Sequence, residues 1–86
     1  MTDNPIKGAI MYAIVRTSQF SMTAEGITHK PTGARFLPYA GERYTGKFCL
    51  GQLDNVLENG VKYRENEVRE MMFDLWVQFN SESVEQ

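Results

Sequence analysis

The chain has a single cysteine, a single histidine and three prolines among its 86 residues. Cys49 alone excludes an intramolecular disulfide, and with His29 the only other such ligand, neither a CxxC pair nor a four-ligand zinc site can be drawn from Cys and His. That usage fits a reducing, cytoplasmic setting. Long apolar runs are also missing. The longest, Gly8 to Val15, is eight residues and stops at Arg16, far short of a membrane span. It has the length of a signal-peptide core, but Asp3 precedes it and no small-x-small cleavage site follows, so it reads as a strand. No internal repeat, low-complexity tract or linker divides the chain.

What is present is an ordinary globular composition, 42% apolar and 23% charged, in one domain with room for a modest core. The net charge of −2 conceals an asymmetry: residues 1–50 carry six Lys/Arg against three Asp/Glu, and residues 51–86 carry three against eight. Attraction between the two halves is a sufficient explanation, and two oppositely charged binding faces are the sharper one.

The strongest pattern is Val68, Met71, Met72, Leu75, Trp76 and Phe79, at offsets 0, 3, 4, 7, 8 and 11. That is one face of an α-helix, and burying six such side chains is worth on the order of 10 kcal/mol gross. The rest of the chain must cover that face. Two starts compete for the helix: Asn66 as cap, or Arg64 with Glu67 at N3 and Tyr63 and Val68 as a hydrophobic staple. Glu65, Glu67 and Glu70 suit the positive end of the helix dipole, and Glu65 can pair with Arg69. Glu82 and Glu85 oppose the other end, so residues 82–86 are expected to fray.

Upstream, Met1 to Lys7 reads as a loose lead-in. Ala9 to Thr17 is apolar on both alternating sets, the pattern of a strand central in its sheet. Strict alternation then places Phe20, Met22 and Ala24 on a buried side and Gln19, Ser21, Thr23 and Glu25 on a wet one. Gly26 breaks the parity and marks a bulge or turn. Ile27 to His29 and Ala34 to Leu37 flank Lys30-Pro31-Thr32-Gly33, a four-residue hairpin loop. Tyr39 to Gly46 reads as loop, and Lys47 to Leu50 as a short strand with Phe48 and Leu50 inward. Leu53, Val56 and Leu57 are spaced for a short helix ended by Gly60. The expected fold is therefore α+β: an antiparallel sheet of three to five strands, with the C-terminal amphipathic helix packed on one face and a short additional helix.

Chemistry is sparse. Gly41 to Phe48 satisfies G-x-x-x-x-G-K but puts Phe48 where a phosphate loop needs Ser or Thr, and no helix pattern follows. Cys49 lies in an apolar tetrapeptide and His29 at an expected hairpin tip, where a solvated histidine is commoner than a catalytic one. No catalytic residue, metal site or cofactor is assigned, and the chain reads as a non-enzyme.

Two surfaces remain. Phe73 and Val77, at about 140° and 180° from Val68 around the helix, form a second apolar ridge that a monomer's surface helix does not require. Either a neighbouring segment covers it, such as the arm through Ile6, or a second molecule does. Arg69 and Asn80 frame the ridge as a polar rim would. The reading adopted is a protein-protein interaction or assembly protein, a homodimer or a subunit bound to another protein, acting through this ridge. The alternative is a small nucleic-acid-binding protein that uses His29, Lys30, Arg35, Tyr39, Arg43, Tyr44 and Lys47 along the hairpin and the loop after it. A sequence pI near 5.3 weighs against it.

Overall fold

The computed structural model describes residues 11–84, with side-chain surroundings for residues 11–81. The expected lead-in, the arm through Ile6, and Ala9 and Ile10 lie outside the described residues, as do Glu85 and Gln86. The architecture is α+β. Four strands, β2 (Phe20–Thr23), β3 (Gly26–His29), β4 (Ala34–Pro38) and β5 (Gly46–Cys49), form an antiparallel sheet in sequential order, and one helix, α1 (Glu65–Val84), packs against it. Two short segments, β1 (Met11–Tyr12) and β6 (Val61–Lys62), pair in parallel as a separate ribbon.

The register explains which side chains meet the helix. Phe20 pairs with His29, Met22 with Ile27, Ile27 with Phe36, and Phe36 with Phe48, so these alternate residues share one face. On that face Phe20, Ile27 and Ala34 are buried, together with Val68, Met72 and Trp76 from α1 and with Leu53 and Tyr63 from the connecting segments. Met71, Leu75 and Phe79 pack partly buried against this cluster, so all six residues of the expected helical stripe serve the core. The helix begins as the Arg64 alternative has it: Val68 N–H donates to Arg64 O at 3.1 Å, which makes Arg64 the cap. Tyr63 and Val68 are both buried, as a staple requires, and Arg69 reaches Glu65 at 3.0 Å. α1 continues through residues 82–84, where fraying is the sequence expectation.

Three expectations need correction. The described part of the run from Ala9 to Thr17 is not a central strand: Met11 and Tyr12 pair beside β6 rather than in the four-stranded sheet. Ala13 and Val15 reach the core while Met11 and Ile14 stay 65% and 66% exposed, because the run lies along α1 with one side inward and the other in water. A single 3₁₀ turn, Thr17–Gln19, then leads into β2. The short helix over Leu53–Leu57 does not form either. Leu53 N–H donates to Leu50 O and Asn55 N–H to Gln52 O, both three residues back, so the segment is a succession of turns. Leu53 alone of its trio is fully buried, and Gly60 completes a turn into β6 rather than a helix end. Leu50, expected to point inward, is 36% exposed.

Gly26 marks the turn, rather than the bulge, of the two alternatives expected there. It opens β3 opposite Thr23, so Ala24 and Glu25 make a two-residue hairpin turn. A Cβ at Gly26 would collide with the backbone oxygen of Phe36 on β4. A backbone atom in a paired strand has no room to retreat, so Gly26→Ala is expected to destabilise the protein by about 2 kcal/mol or more. Gly33, with φ 78° and nothing within 4 Å of an added Cβ, is strained only by conformation, and Gly33→Ala should cost about 1 kcal/mol. Urea denaturation of the two variants checks that order.

Candidate functional site

The second ridge of α1 lies beside the edge strand β5. Phe73 is 47% exposed, and its ring meets that of Tyr44, 46% exposed, edge to face at 6.3 Å between centroids. Trp76 holds the loop that carries Tyr44: its indole Nε1–H donates to Arg43 O at 2.7 Å. Between helix and strand runs an open groove of about 280 Å³, walled by Met72, Phe73 and Trp76 on one side and by Gly46 and Phe48 on the other. Arg69 closes one end, with its guanidinium 4.3 Å from the centre of the Phe48 ring and its charge shared with Glu65.

The backbone of β5 adds a polar element to this apolar groove. Tyr39 N–H donates to Thr45 O at 2.9 Å, which makes Tyr39 and Thr45 a hydrogen-bonded pair just beyond the ladder. Antiparallel pairs alternate, so Leu37 with Lys47 and Arg35 with Cys49 exchange bonds, whereas Phe36 with Phe48 and Pro38 with Gly46 do not. Pro38, which has no N–H, sits where none is needed. The N–H and C=O of Gly46 and Phe48 therefore point away from β4, along an edge that no other strand among the described residues covers. On the opposite edge, the first outward group of β2 is taken up: Phe20 N–H donates to Thr17 O in the 3₁₀ turn. Among the described residues nothing caps β5 in that way.

Other expected site residues lie elsewhere. Asn80 is not a rim residue; it is buried and donates to Trp76 O at 2.8 Å. Val77 is half-buried. Lys30 is exposed on the β3–β4 turn, while Arg35 and Lys47 project from the sheet face that α1 does not cover. Tyr39, Arg43 and Tyr44 belong to the loop on the helix flank. The cations are thus divided between two surfaces, and His29 belongs to neither.

His29 corrects the sequence reading most sharply. It is 0% exposed, packed between the rings of Phe20 and Tyr63 at 4.8 and 4.7 Å. Its Nε2 lies 2.9 Å from Gln19 Oε1, an acceptor, so Nε2 carries the proton. Nδ1, 2.8 Å from Thr32 Oγ1, then accepts from that hydroxyl. Both nitrogens are satisfied by a neutral ring. The sequence misplaces His29 because parity puts it on the core face, beside Ile27, whereas proximity to a turn suggests solvent. Among the described residues no three His, Cys, Asp or Glu side chains form a group able to hold a metal ion.

The sequence also overlooks Gly46, Phe48 and Tyr44 as parts of one flank. Pro38 is the available signal, since proline in a strand marks positions whose N–H is not needed. Compared with protein-family models, with curated proteins and with solved structures, the chain gives no match.

Burial lowers the His29 pKa from 6.5 to about 4. Between these values the unfolded chain binds a proton that the folded protein refuses, so stability is full above pH 6.5 and declines as pH falls towards 4. The loss from this group should approach about 3 kcal/mol. Urea denaturation at pH 7 and pH 4.5 checks it, with His29→Gln expected to flatten the dependence.

Proposed function

We propose that this chain is a non-enzymatic protein-interaction protein that binds through the flank between α1 and β5. The observation that carries this reading is Phe73, a large aromatic left nearly half exposed on a helix and set edge to face with an equally exposed Tyr44, at the mouth of an apolar groove. Exposed apolar surface that is continuous and rimmed by charge suits a partner better than water. A second copy of the chain and a different protein are both partners of this kind.

An enzymatic reading lacks support from the two residues best suited to chemistry. His29 has both ring nitrogens engaged in the core, and Cys49 lies on the sheet face opposite that of His29. The nucleic-acid reading is weakened by the burial of His29 and by the division of the remaining cations between two surfaces.

Phe73→Glu tests the reading. The variant should remain folded by circular dichroism, with stability within about 1 kcal/mol of wild type, as expected of an exposed site. Light scattering coupled to gel filtration should report a monomer for it, whatever the state of wild type. Gross unfolding of Phe73→Glu would make Phe73 a core residue and overturn the reading. A dimeric wild type that persists unchanged in the variant would place the interface elsewhere.

A further inference from the structure

We infer that the α1–β5 flank takes an extended segment of another protein, alternating apolar and acidic residues, which adds to β5 as a fifth strand; this rests on the reading of the flank as a protein-binding surface.

Two features of the flank coincide. The outward N–H and C=O groups of Gly46 and Phe48 offer a strand the bonds that a sheet edge leaves open. The groove next to them offers its side chains a place to go. In a strand laid against β5, the residues beside Gly46 and Phe48 share their face of the sheet and enter the groove between Phe48 and Phe73. That lining is aromatic and thioether, so those residues are apolar.

The intervening residues emerge on the other face, beside Lys47 and Cys49. On that face the strands contribute two cations, Arg35 and Lys47, and otherwise only Ser, Thr, Leu and Cys; there is no strand carboxylate to balance them. Arg43 lies exposed in the adjoining loop, whereas Arg69, at the end of the groove, has its charge shared with Glu65. Opposite charges across a strand pair stabilise it and like charges oppose it. Acidic residues at the alternate positions are therefore the complement. A second copy of β5 laid on the same edge would instead bring its own Lys47 towards these cations, which favours a different protein as the occupant.

Amide hydrogen exchange followed by NMR tests this with a blocked nine-residue peptide alternating Leu or Phe with Asp. At ten times its Kd the peptide should slow exchange of the Phe48 amide about tenfold and leave the Lys47 amide, already bonded to Leu37, unchanged. N-methylation of every second peptide residue should abolish binding in one phase of the alternation and spare it in the other. A peptide with Lys in place of Asp should bind about tenfold more weakly to wild type, and Lys47→Glu should reverse that preference. Shifts at Phe73 and Tyr44 without protection of Phe48 would overturn strand addition while leaving the flank a binding surface. No shift at Phe73 would remove both. Protection of Phe48 that rises with protein concentration without peptide would identify a second copy as the occupant and overturn the inference. Protection independent of concentration and lost on deleting residues 1–10 would assign the edge to the chain itself, with the same consequence.

Discussion

The indole of Trp76 is the joint on which the two layers of this protein and its open flank depend. It is buried at 1% exposure, edge to face with Phe36 on the sheet and stacked on Phe79 one helical turn away. Truncating a buried tryptophan typically costs about 3–5 kcal/mol, and Trp76 is the largest of the fully buried side chains among the described residues. Its one polar atom settles more than stability. By donating to Arg43 O, it ties the irregular loop between β4 and β5 to the helix and carries Tyr44 to Phe73. A buried N–H without that acceptor would be costly, so the loop is held where the indole needs it.

The polar network around His29 secures the other end of the sheet by the same logic. Gln19 joins the 3₁₀ turn to His29 and approaches the Tyr63 hydroxyl, and Thr32 closes the β3–β4 turn onto both His29 and Ala34 N–H. Every member finds a partner, so a neutral histidine can sit in an apolar core. One consequence is an unequal pair of edges. The 3₁₀ turn that brings Gln19 inward also caps β2, while β5, at the far side of the sheet, retains outward-facing backbone next to an apolar groove.

Much of this fold is legible residue by residue. The spacing from Val68 to Phe79 declares the helix and its buried face, the alternation from Phe20 to Thr23 declares a strand, and Lys30 to Gly33 declares the turn between β3 and β4. Periodicity fails where a pattern fits two environments. The apolar run through Met11 and Ile14 has the composition of a central strand, but a place in the sheet depends on which strands close the helix face first. Leu53, Val56 and Leu57 have helical spacing over too few residues to hold a helix against turn bonds. Of the candidate site, the second ridge at Phe73 can be read from angles around the helix. Tyr44 and Phe48 cannot, since their nearness to it comes from contacts far apart in sequence.

Local periodicity and the cost of leaving large apolar side chains in water are enough to read off the α+β class, the face that α1 turns to the sheet, and an apolar Phe73 outside that face. That His29 is a core residue, that β1 pairs with β6, and that Phe73 overlooks the outer edge of β5 emerge from the assembled chain. Those outcomes turn on which backbone groups are paired and which are left over, and that is a property of the assembled sheet rather than of any one segment.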